Sequence, residues 1–182
     1  MRRDSPVDSL EDLKGRTVAL QSALSTSAYL VPAMELLEHG VKPEILLTPS
    51  DVPAADTVGY VFARTELNIS TYVHKRVVDA GVISNLDWMD DRSMPPAFRS
   101  DMRVIFRSEP MPRALEMVRY DLDPAVRERL QRVLLEASRD PVAGPALAKF
   151  FGTTGFHPVD AGSQRVLDRL RSGLARIRLE VE

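Results

Sequence analysis

The stretch ALQSALSTSAYLVP, residues 19–32, decides the fold. Together with the two residues before it, Thr17, Val18, Ala19 and Leu20 form a β-branched and apolar run that reads as a strand. A turn of small residues follows, and Ser25-Thr26-Ser27 then opens a segment with helical spacing. Hydroxyls at a helix start lie beside backbone N–H groups that have no intrahelical partner. The macrodipole adds partial positive charge there, so the turn favours an anion. A single hydroxyl capping the helix explains the same triplet without any ligand. Ala28 and Leu30 stand three residues after Ser25 and Ser27, where a capping box would need Glu or Gln.

Working outward, Tyr29, Leu30, Met34, Leu36 and Leu37 recur at helical spacing up to Gly40, a natural terminator. Ile45-Leu46-Leu47 reads as a second strand, which completes a βαβ unit and predicts a parallel sheet with crossover helices. Upstream, residues 9–15 read as one helical turn stopped by Gly15. Downstream come a Pro, Asp and Ala loop at 49–56, a strand at 58–63, a helix at 66–76, and a turn into a buried strand at 78–83. Residues 85–99 are mixed and carry the only tryptophan, Trp88. The alternation of RVIFR at 103–107 predicts a strand, and 114–120 predicts another. Helices follow from Asp123, over 142–151, and over 163–179, the last with Leu167, Leu170, Leu174 and Ile177 on its inner face.

The 182 residues are enough for one ordinary domain or two small lobes, and 44% hydrophobic with 27% charged content is that of globular proteins. The net charge of −2, with no run of like charges, argues against nucleic acid and against an anionic membrane surface as partners. Without cysteine the chain holds no disulfide and no thiolate chemistry. The start, MRRDSPVDS, is too short and polar to be a signal peptide.

Four segments in order, DSLEDLKGRTVAL (8–20), STSAYLVP (25–32), VVDAG (77–81) and RVIFRSEPMP (103–112), resemble the phosphonate/phosphite/phosphate-type solute-binding proteins of ABC importers. The resemblance spreads over residues 9–158. It implies an α/β fold of the type II periplasmic-binding class, in which two lobes close on a ligand about a hinge. Residues 1–9 would be hinge, 10–101 the α/β ligand-binding lobe, and 102–182 the return crossing strand with C-terminal helices belonging to the other lobe. Most of that other lobe would lie outside this chain. The resemblance further implies an extracytoplasmic or periplasmic location with the export signal outside this chain. It implies a small oxyanion as ligand, a membrane permease as partner and no cofactor. The same lobes also serve as input domains of sensor kinases.

By this resemblance Ser25, Thr26 and Ser27 receive the ligand's phosphoryl oxygens. Leu24 and Ala28 replace glycines that flank the family's triplet. Where the family places a histidine followed by an acid, Glu66-Leu67-Asn68 stands, so Glu66 and Asn68 join the candidates. A carboxylate beside a phosphonate dianion is costly unless it is protonated or bridged by a cation. Asn85 and Asp87 lie just beyond the strand carrying Val82 and Ile83, at the edge that faces ligands in α/β folds. Arg113 follows the crossing and is a candidate for a bidentate oxyanion contact, which a guanidinium makes with two parallel N–H groups. Trp88 is either a ring on the site or part of the core. His39, His74 and His157 lack metal-ligand spacing. An enzyme on the same fold would use Ser25 with Asp79 and needs a base within reach of that hydroxyl.

Overall fold

In a computed structural model the chain is described over residues 1–112, 114–150 and 152–181. Strands β1 (Thr17–Leu20), β2 (Lys42–Ile45), β3 (Thr57–Phe62) and β4 (Ala80–Gly81) form a parallel sheet in the order β2-β3-β1-β4. In the central pair Thr17 stands opposite Gly59 and Leu20 opposite Phe62. Strand alternation divides the core into two layers. Val18, Leu20, Val58 and Tyr60 join one cluster, and Ala19, Val61 and Ala63 join the other.

Helices cover both layers. A turn at Thr26–Leu30 runs into α1 (Val31–Glu38), which buries Ala33, Met34, Leu36 and Leu37 in the first cluster. Helix α2 (Glu66–His74) buries Ile69 and Val73 in the second. The connection from β1 to β2 therefore passes over β3 on one face, and the connection from β3 to β4 passes over β1 on the other. Chains leaving adjacent strands toward opposite faces open a crevice at the carboxyl ends of those strands. By that rule the switch point of this sheet, where a ligand crevice is expected, is between β1 and β3. On the second face α2 lies so close to β4 that a Cβ on Gly81 would sit 2.5 Å from Ile69 Cγ2.

The second strand begins earlier than the apolar run at 45–47 predicts. It is an edge strand, where Pro43 is tolerated without an N–H to donate. The Glu44 carboxylate ties it down by accepting from the Thr57 hydroxyl (2.6 Å) and the Ala54 N–H (3.0 Å). Leu46 turns inward, while Leu47 is 98% exposed.

The strands predicted at 103–107 and 114–120 do not form. The start of the 103–107 segment pairs with the chain start through one antiparallel bridge, Arg2 with Met102, flanked by Arg3 N–H to Asp101 O and Arg103 N–H to Met1 O, both 2.8 Å. Beyond Arg103 no strand among the described residues lies alongside, and alternation without a partner makes no ladder. Ile105 still packs on the first cluster, whereas Leu115, Met117 and Tyr120 are exposed.

The chain forms two compact units, Met1–Glu109 with Asp168–Glu182, and Pro110–Leu167. The second holds α5 (Pro124–Ala137), α6 (Ala143–Lys149) and the start of α7 (Ala161–Glu180). Helix α5 starts as its sequence predicts, with Pro124 at the first position and the Asp123 carboxylate accepting from the Ala125 and Val126 N–H groups. The carboxyl part of α7 belongs to the first unit, where Ile177 is fully buried and Gly173 meets Met34.

Candidate functional site

Three segments start at the carboxyl edge of the sheet: the turn after β1, α2 after β3, and α3 (Asn85–Met89) after β4. Each start is capped by a hydroxyl, because the first N–H groups of a helix need acceptors. Ser25 Oγ accepts from Ala28 N–H, Thr65 Oγ1 from Asn68 N–H, and Ser84 Oγ from Asp87 N–H, each at 3.1 Å. Ser25 is thus the cap of its helix.

Thr26 and Ser27 are differently placed. Both are exposed, and neither hydroxyl makes a hydrogen bond among the described residues. Their own N–H groups likewise have no backbone acceptor among the described residues. The helix opens with a wide turn, in which Leu30 N–H donates to Ser25 O (3.0 Å) and Val31 N–H to Thr26 O, five residues back. Ala28, at φ −119° and ψ 20°, departs from helical geometry to allow it. Such wide turns recur at functional positions. Two hydroxyls and two N–H groups are therefore presented at the positive end of α1.

Gln21 joins this turn to the loop and helix start that follow β3. Its N–H donates to Ala28 O (3.1 Å), and its carbonyl accepts from Arg64 N–H (2.9 Å). Its side-chain amide donates to Glu66 Oε1 (3.1 Å) and accepts from the Ser22 hydroxyl. Arg64 adopts φ 72°, left-handed and uncommon for a residue with a Cβ, and its side chain is exposed. Neither Gln21 nor Arg64 emerges from the sequence patterns. Gln21 is the first residue after β1 and Arg64 the second after β3, at the edge where an α/β sheet displays its ligand-facing residues.

Of the predicted residues, Glu66 is held by the Gln21 side-chain amide, and Gln21 in turn bonds Ala28 O in the turn that Ser25, Thr26 and Ser27 open. Asn68 uses its side-chain amide to donate to Ala63 O (2.8 Å), closing the β3–α2 loop. Asp87 pairs with Ser84, accepting from its hydroxyl in return for the N–H it donates. Asn85 is exposed at the start of α3, on the far side of β1 from β3. Arg113 lies outside the described residues. Trp88 packs with Tyr72, Ile83 and Phe98 against the second core cluster.

Asp79 sits at the opposite edge of the sheet, where its Oδ2 accepts from the N–H (2.9 Å) and hydroxyl (3.1 Å) of Thr17. The four-residue β1 separates it from Ser25 by ~13 Å of strand. These two residues do not form a catalytic pair. His74 stacks on Phe98 with ring centres 4.0 Å apart, and His39 meets Phe106 edge-on. Among the described residues no three acidic, His or Cys side chains are grouped to hold a metal, and no helix is long and apolar enough to cross a membrane.

Residues 1–163 match the family described as "ABC transporter, phosphonate, periplasmic substrate-binding protein". Two solved structures of XAC2383 from Xanthomonas citri, one bound to chloride ion and one bound to ATP, are each 51% identical to this chain, with TM-scores of 0.92 and 0.93. Both comparisons cover 100% of this chain but only 65% and 66% of the XAC2383 chains, so it spans just under two thirds of their length. No curated protein sequence matches it. With an α/β fold of the periplasmic-binding type and a match over most of its length, the chain belongs to the periplasmic phosphonate substrate-binding family of ABC transporters.

Proposed function

We propose that this chain captures a small anion bearing phosphoryl-type oxygens in the crevice between the carboxyl ends of β1 and β3, as the ligand-binding lobe of an extracytoplasmic solute-binding protein. The observation that carries the reading is the pair Thr26 and Ser27, whose hydroxyls and N–H groups stand unengaged among the described residues once Ser25 caps the helix. An oxyanion placed there meets several donors and the positive end of a helix, without first displacing internal bonds. The family description names phosphonate, and the XAC2383 structures hold chloride and ATP. All three are anions, and the first and last share phosphoryl oxygens. In this reading residues 1–9 and the return crossing are hinge segments, and an ABC permease receives the ligand.

The test is a thermal-shift and calorimetric titration of the purified chain with phosphate, methylphosphonate, ATP and chloride. A ligand at a hundredfold its Kd stabilises the folded state by about 2.7 kcal/mol, enough to raise the Tm measurably. Thr26→Ala should weaken binding about tenfold, one lost hydrogen bond to a charged group. Undiminished binding by Thr26→Ala, or no binding of any of the four anions, overturns the reading.

A further inference from the structure

The second compact unit, Pro110–Leu167, contains no buried residue among those described. Helix α5 lies wholly within it and leaves its apolar side uncovered: Val126, Leu130 and Val133 are 47%, 44% and 57% exposed. With Ala137 they recur at intervals of four, three and four residues, the spacing at which two helices meet along one seam. Arg127, Glu128, Arg129 and Arg132 around them are exposed too. Polar and apolar positions are therefore sorted into faces, although no described residue buries the apolar one. A stripe of this kind is normally shielded from water by a partner surface.

The charges beside the seam fit one surface in particular. Arg129 and Glu136 stand immediately before the seam residues Leu130 and Ala137, seven residues apart and therefore on one side of the helix. Both are exposed, and neither forms an ion pair among the described residues. A second α5 laid antiparallel brings Leu130 against Val133 of the second copy, and Val126 against its Ala137. Arg129 then faces Glu136 of the second copy, and the two-fold relation repeats that pair in reverse. Laid parallel, Arg129 faces Leu134 of the second copy instead, and the two macrodipoles point the same way. We infer that α5 is a self-association surface, on which two copies of this chain pair antiparallel through Val126, Leu130, Val133 and Ala137, with Arg129–Glu136 ion pairs along the flank.

Sedimentation equilibrium of the full chain, from low micromolar to submillimolar concentration, should show the mass rise from 20.3 kDa toward twice that value. Leu130→Asp should weaken the association by about tenfold or more while the far-UV spectrum stays unchanged. Arg129→Glu and Glu136→Arg each turn both flanking pairs into like-charge contacts, so each should weaken self-association by about tenfold. A mixture of those two variants restores opposite charges at both flanks and should associate as tightly as the unaltered chain. That recovery requires both variants to be folded and the helices to be antiparallel. A single-chain mass at every concentration overturns the inference and leaves the face to a different polypeptide. Association that survives Leu130→Asp or both charge reversals overturns it, and so does weakening by the reversals with no recovery on mixing.

Discussion

Ser25, Thr26 and Ser27 are three adjacent hydroxyls in two different situations. Ser25 accepts from Ala28 N–H, so Ser25→Ala should cost about 1 kcal/mol of stability in urea denaturation. Thr26 and Ser27 hold no internal bond among the described residues, so Thr26→Ala should stay within about 0.5 kcal/mol of the unaltered protein and change anion affinity instead. The opposite pattern would make Thr26 the structural residue and Ser25 the exposed one. The sequence made the triplet conspicuous because hydroxyls before a periodic apolar run are a local signal. It could not say which hydroxyl caps, since that depends on the wide turn and the altered backbone of Ala28. Gln21 was illegible for another reason. Its bonds to Arg64 and Glu66 reach across more than forty residues, and only the pairing of β1 with β3 brings those positions together.

Strand β4 and helix α2 show how elements hold the crevice in shape. Ile69 Cγ2 and Val73 Cγ2 lie 2.5 and 3.0 Å from where a Cβ on Gly81 would stand, and both side chains are β-branched and buried. Gly81→Ala should therefore cost about 1–3 kcal/mol by forcing α2 off the sheet, and should weaken ligand binding through displacement of Glu66. A neutral melting temperature for this variant would show that α2 is not seated as described. Edge strand β2 carries a pH signature. The Thr57 hydroxyl and the Ala54 N–H hold the Glu44 carboxyl below its ordinary pKa, and hydrogen bonds from Arg2 and Arg76 do the same for Asp4. Groups with depressed folded pKa values contribute stability above their unfolded pKa and lose it as pH falls through the folded value. Below about pH 4.5 the melting temperature should decline, and the decline should be smaller in Glu44→Gln. Elements inside the sheet were readable from the sequence because parallel strands are continuous apolar runs. The segment at 103–107 carried an alternating pattern too, but a strand is a property of a pair, and past the Arg2–Met102 bridge no partner strand lies among the described residues.

Within the first compact unit the chain closes on itself, residues 168–182 lying with residues 1–109. Ile177 is fully buried, and Arg169 donates to Glu35 Oε1 at 3.1 Å and also bonds Glu38. Glu35 is itself buried, so Arg169→Ala should cost about 1–3 kcal/mol by leaving that carboxylate without its cation, and Arg169→Lys should recover part of the loss. An unchanged urea midpoint in Arg169→Ala would show the ion pair to be dispensable. Helix α7 was legible as a helix, but its docking on α1 was not, since the approach depends on Gly173 admitting Met34. At this scale the sheet, the Ser25 and Thr65 caps and the Gln21 bridge meet at the carboxyl ends of β1 and β3. The most direct measurement is a titration of the isotope-labelled chain with phosphate, followed by amide NMR. The account predicts saturable shifts concentrated at the N–H groups of Thr26, Ser27 and Ala28 and at the Gln21 side-chain amide. Shifts confined to other residues, or none at saturating phosphate, would contradict it.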